Sequence, residues 1–154
     1  MFFVSVFFML AGYTEVSAAT LTQTPVDNWY YTRRGGGKPY MSAQWNLYDL
    51  DGKTAYCIEP GVNITTSDYE GAIGWINSPY SDEVNRKIQL YGYYGYNYPG
   101  HGNLRYRAAA QSLIWEATGG QIIEFWTERY GNGNFINLNA ERNEILRLAS
   151  THYE

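Results

Sequence analysis

Cysteine is almost absent from this chain: Cys57 is its only one. No disulfide can therefore staple the fold from within. The two histidines, His101 and His152, lie far apart and no Cys/His cluster has ligand spacing, which excludes the usual zinc sites. No metal and no other cofactor is expected. Lysine is scarce, at Lys38, Lys53 and Lys87, and the 11 Lys and Arg are scattered under a net charge of −4. A nucleic-acid footprint needs a clustered basic face, so that partner is excluded. A membrane-spanning run is missing too. The longest apolar stretch, Phe2 to Ala11, is far short of the ~20 residues a spanning helix needs. No membrane contact is expected of the domain. Arg33-Arg34-Gly35-Gly36-Gly37 lacks the strand-to-helix context of a phosphate loop. It reads as a solvated loop running on through Lys38-Pro39.

What is present argues for one folded domain. Hydrophobic residues are 45% of 154 and charged residues 17%, which is not the composition of a disordered chain. Aromatics are 18%, with 16 Tyr. Such rings offer apolar area and a polar tip, as extracellular binding surfaces do, although most serve ordinary packing. The run Phe2 to Ala11 followed by Val16-Ser17-Ala18-Ala19 reads as a secretory signal cut after Ala18 or Ala19. Its basic n-region is missing, so residues 1–19 are expected to be a leader truncated at its start. A buried N-terminal strand or helix is the weaker alternative.

Thr20 to Tyr31 suits a first strand. Ala43 to Leu50 alternates, Asp51-Gly52 is a strong two-residue hairpin signal, and Lys53 to Ile58 is the return strand. That register pairs Leu47 with Tyr56, Asn46 with Cys57 and Trp45 with Ile58. Cys57 thus lies on the face away from Trp45 and Leu47, and Pro60-Gly61 stops the strand. Asn63-Ile64-Thr65 matches a glycosylation sequon. Ser81 caps a first helix with Val84, Ile88 and Tyr91 inward, ended by Gly92. A second helix runs from Leu104 to Ala117 and is closed by Gly119-Gly120. A short apolar segment, Ile122 to Trp126, precedes a Gly/Asn loop at Gly131 to Asn134. Asn139 caps a third helix to about Ala149.

Within the second helix, Leu104, Ala108, Gln111 and Trp115 share one face. Gln111 interrupts an apolar stripe, where an unpartnered amide is costly. Each anomaly has a bland account. Gln111 can bond core backbone, and Cys57 can be a small core residue. A secreted lone thiol is nonetheless unusual, because exposed thiols oxidise; an acylated one cannot, and a bridge to another chain is the other way to cap it. A cysteine hydrolase needs a base near the thiol. Only His101 and His152 offer one, and both read as surface loop residues, so this ranks third. A non-covalent, lectin-like module using Tyr96, Tyr98 and Trp75 as aromatic platforms is the alternative function.

Taken together, Tyr56-Cys57-Ile58 at a strand end and Ala110-Gln111-Ser112-Leu113-Ile114-Trp115 on a helix resemble the thioester domains of Gram-positive bacterial surface adhesins. The resemblance runs from roughly Trp45 to Ala149. The residue before the family's glutamine is more commonly Thr; here it is Ala110. The resemblance implies an α+β fold: an antiparallel β-sandwich or barrel portion with an inserted helical subdomain and the thioester at their junction. It implies a Cys57–Gln111 thioester, with Tyr56 and Trp115 as candidates for shielding it. It further implies a secreted, cell-wall-anchored adhesin that reacts once with a lysine amine on a host or surface protein, leaving an isopeptide-type link, and is not an enzyme. Further strands and a longer anchored protein are also implied, so residues 20–154 are expected to be a domain incomplete at its C-terminus. Glu59 and Tyr56 are the guesses for the group that takes the amine's proton.

Overall fold

The computed structural model describes residues 8–10, 18–58, 67–70 and 80–153. Among them the chain runs β1 (Phe8–Leu10), β2 (Ala18–Arg34), β3 (Met41–Leu50), β4 (Lys53–Cys57), β5 (Ser67–Glu70), α1 (Asp82–Tyr93), α2 (Leu104–Gly119), β6 (Ile122–Glu128), β7 (Asn132–Ile136) and α3 (Asn139–Thr151). The fold is α+β. The strands form one sheet in the order β1-β4-β3-β2-β6-β7, with β5 also on β2. Every pairing is antiparallel. Strand β2 holds the sheet together: its first half pairs with β3 and β5, and after a register shift between Pro25 and Tyr30 its second half pairs with β3 and β6. Phe8–Leu10, inside the segment read as a leader, pair with Cys57, Tyr56 and Ala55 of β4. Pro60-Gly61, the sequon and Trp75 lie outside the described residues.

The hairpin turns where its sequence says it should. Asp51 and Gly52 have φ of 51° and 77°, the two left-handed positions of a turn whose twist matches the strands. The register, Tyr48↔Ala55, Asp49↔Thr54 and Leu50↔Lys53, is the expected one. The ladder ends at Tyr48↔Ala55, so the expected pairs at Tyr56, Cys57 and Ile58 are not made. Beyond Ala55 the two strands part.

Helix α2 fills the space this opens. Asn103 caps it by accepting from the Tyr106 N–H (3.0 Å), and Gly120 closes it in the left-handed conformation at φ 63°. It packs against α1, α3, β4 and β6, so Arg107 to Trp115 are all buried. The expected single apolar stripe is therefore not what α2 presents. Leu104, placed on that stripe, is exposed, while every side of the middle turns is covered. Three successive alanines, Ala108 to Ala110, permit such close approach from several directions. An aromatic cluster joins helix to sheet: Trp115 packs against Tyr31 with the rings tilted by 45° (4.7 Å between centroids), and Phe125 packs edge-on to Trp45 (5.3 Å) and Trp29 (5.7 Å).

Other local expectations shift. Ile122 to Trp126 is most of β6, and the expected loop at Gly131 to Asn134 is largely β7, pairing Asn132 with Glu128. Its glycines and asparagines mark a hairpin turn, not a long loop. Helix α3 starts at the residue expected to cap it. Asn139 is its first residue, and the Asn139 N–H is taken by Asn137 Oδ1 at 2.9 Å. Helix α1 keeps its Ser81 cap, which accepts from the Val84 N–H, but runs one residue past Gly92.

Candidate functional site

In an antiparallel ladder each residue of a hydrogen-bonded pair exchanges both backbone groups with its opposite. Continuing the hairpin would give those of Cys57 to Asn46. Because the ladder stops at Ala55, they go elsewhere. The Cys57 N–H donates to Gln111 Oε1 (3.1 Å), and Gln111 Nε2 donates to the Cys57 carbonyl (2.6 Å). The glutamine amide stands in for a strand residue, and both of its ends are occupied by one partner. Cys57 is 1% exposed and Gln111 2%. One residue on, the Thr118 hydroxyl donates to the Ile58 carbonyl (2.7 Å). The two anomalies of the sequence, a lone cysteine and a glutamine among apolar residues, meet here.

Tyr56 and Trp115, the shielding candidates, are both buried, at 1% and 2% exposure. The Tyr56 hydroxyl accepts from the Tyr96 N–H at 3.0 Å. Burial pushes the Tyr56 phenol up to about 12, partly offset by the Tyr96 hydrogen bond and the Arg107 charge. The hydroxyl therefore stays protonated at neutral pH and does not serve there as an anionic base. Burial raises the Tyr48 phenol still more, and charge on the Cys57 sulfur adds to that shift. Glu59, the other guess for a proton acceptor, lies outside the described residues.

The tyrosine-rich loop after α1 is tied down over this site. Asn97 Oδ1 accepts from Thr54 Oγ1 on β4 (3.2 Å), and Tyr96 is held by Tyr56. Gly95 lies against both partners. A Cβ there would sit 2.6 Å from the Tyr56 hydroxyl, 2.8 Å from Ala110 Cβ and 3.0 Å from the Tyr91 carbonyl. This contact gives Ala110 a packing role: a larger residue would press on Gly95. Gly95→Ala should cost about 1–3 kcal/mol through overpacking, read as a lower denaturation midpoint. A midpoint at or above wild type would show that the loop is not seated this way.

One residue that sequence reasoning passed over is Arg107, one helical turn before Gln111. It is 6% exposed, the one Lys or Arg buried among the described residues. Its Nη2 donates to the Tyr48 carbonyl (2.7 Å) and to Asp49 Oδ1 (3.2 Å), and its guanidinium lies 5.1 Å from the centre of the Tyr96 ring. The available signal was an arginine at i−4 from the glutamine, which places both on one helix face.

Of the two histidines expected at the surface, only His152 is there. His101 is buried, stacked on Tyr106 at 3.7 Å, with Nδ1 donating to the Tyr94 carbonyl (2.7 Å). His152 is exposed and its Nδ1 lies 2.6 Å from the Tyr94 hydroxyl. Tyr98, offered as a binding platform, packs against Tyr94 (5.1 Å) and His101 (4.9 Å). Tyr96 lies under Arg107. Among the described residues no three His, Cys, Asp or Glu side chains gather as a metal would require, and no helix is long and apolar enough to cross a membrane.

Comparison with known proteins places the chain in a family. The family model for the thioester domain matches residues 54–148, a span that includes Cys57, Gln111, all of α1 and α2 and most of α3. No curated protein and no solved structure matches the chain. With more than half its length matched by that model, the chain belongs to the thioester domain family.

Proposed function

We propose that Cys57 and Gln111 form an internal thioester, and that the domain uses it once to attach covalently to an amine on another protein. The observation that carries this reading is the Gln111 amide held at both ends by the backbone of Cys57. Burial alone would protect a cysteine; it does not account for a glutamine dedicated to that one residue.

The arrangement suits the chemistry. Cys57 Sγ attacks Gln111 Cδ, and the developing negative charge on Oε1 already faces the Cys57 N–H, an oxyanion donor in place before reaction. The S–C bond forms, the C–N bond breaks, and the amide nitrogen leaves as ammonia with the thiol proton. Holding the two groups together in a water-excluded site offsets the unfavourable exchange of an amide for a thioester. Departure of Nε2 leaves the Cys57 carbonyl without that donor. An incoming lysine amine can donate to the same carbonyl as it attacks Cδ. An isopeptide-type amide then forms, and the sulfur leaves carrying a proton from the amine. There is no turnover, so the domain is a covalent binder and not an enzyme.

The setting proposed is a secreted adhesin on a Gram-positive bacterial cell wall, part of a longer anchored protein, whose target is a lysine of a host or surface protein. Closure of the sheet into a sandwich or barrel, with the helices as an inserted subdomain and the thioester at the junction, belongs to the same reading. So does removal of residues 1–19 as a leader, which would take β1 away and leave β4 at the edge of the sheet. Methylamine tests the reactivity: it should add to Gln111 and release one titratable thiol per chain. Unaltered protein after prolonged exposure, with Cys57 already titrating in the unfolded chain, would refute it.

A further inference from the structure

Helix α2 enters the fork between β3 and β4 with two side chains one turn apart. Gln111 takes the Cys57 backbone, and Arg107 takes the last paired carbonyl of β3, that of Tyr48. Tyr48 already faces Ala55 across the ladder, so the guanidinium binds just where the strands separate. Burying an arginine is costly unless it is paired and hydrogen-bonded. Asp49, a half-buried carboxylate, and the face of Tyr96 supply that compensation. Tyr96 is in turn the residue whose N–H is bound by the Tyr56 hydroxyl. Arg107 thus contacts β3 directly, and through Tyr96 it reaches the residue next to Cys57. Its charge is felt at Tyr56.

From this we infer that Arg107 is a positioning residue for thioester formation. It pins α2 at the β3–β4 fork in the one axial register that delivers the Gln111 amide to Cys57. The inference rests on the thioester reading. A helix free to shift by a fraction of a turn would keep its apolar packing and still lose this contact, since small misplacement of reacting groups is costly in rate.

The experiment measures the share of purified, folded molecules one ammonia lighter than the sequence mass. It compares wild type, Arg107→Met and Arg107→Lys. A parallel set on a Cys57→Ala background, which cannot form the bond, reports what each substitution does to the fold alone. The expected result is a share about tenfold lower in Arg107→Met and an intermediate share in Arg107→Lys, which keeps charge but lacks the fork. The Cys57→Ala pair should still melt cooperatively. A wild-type share in folded Arg107→Met overturns the inference while leaving the thioester itself standing. If Arg107→Met does not fold, Arg107→Lys decides: a reduced share supports the inference and a wild-type share overturns it. Wild type at the full sequence mass would instead remove the thioester reading on which it depends.

Discussion

Replacing Cys57 with alanine is expected to lower the melting temperature by roughly 8–16 °C. The proposed bond joins residues 54 positions apart. Treated as a cross-link on the unfolded chain, a loop of that length contributes about 4 kcal/mol, and a chain of this size shifts by roughly 2–4 °C per kcal/mol. In the alanine variant the Cys57 backbone N–H keeps Gln111 Oε1, and the amide nitrogen that the thioester would have expelled again donates to the Cys57 carbonyl, so the fall reports the lost cross-link and not a lost backbone contact. Wild-type protein opened with methylamine should melt near Cys57→Ala for the same reason. An unchanged midpoint in the alanine variant would argue that no bond constrains the native chain.

Gln111→Ala should be the more damaging of the two. It removes the same cross-link and also takes both partners from a buried N–H and a buried carbonyl at Cys57. Each orphaned group costs about 1–3 kcal/mol, so this variant is expected to fall about 2–6 kcal/mol below Cys57→Ala. Urea unfolding of the two side by side measures the difference. Equal stabilities would mean that the β3–β4 fork closes in the mutant and Asn46 takes the freed groups, so that Gln111 is not needed to hold the strands apart.

Much of this site could be read from the chain, because its determinants are local. Asp51-Gly52 sets the hairpin register by backbone conformation alone, and that register holds as far as Tyr48↔Ala55. Gly119-Gly120 ends α2 by supplying a left-handed cap. The lone cysteine and the single glutamine in an alanine-rich helix were each out of place where they stood. What escaped depended on distant neighbours. Nothing near Ala55 announces that the ladder stops there; the cause is a helix some fifty residues on. Leu104 is exposed and α2 is covered all round because of what packs on it, which periodicity within one helix does not reveal. His101 looked like a surface residue in a Pro-Gly-His-Gly-Asn run, yet it is stacked on Tyr106 and bound to the Tyr94 carbonyl. Arg107 resembled any helix-surface arginine until β3 was placed beside it.

The central claim is a covalent bond between Cys57 and Gln111, and the intact mass of the secreted, unreacted protein tests it most directly. After correction for any leader removal, the account predicts a mass one ammonia below that of the sequence, with peptide mapping placing the loss on a Cys57–Gln111 cross-link. A mass equal to the sequence, with Cys57 titrating as a free thiol once the chain is unfolded, would contradict it.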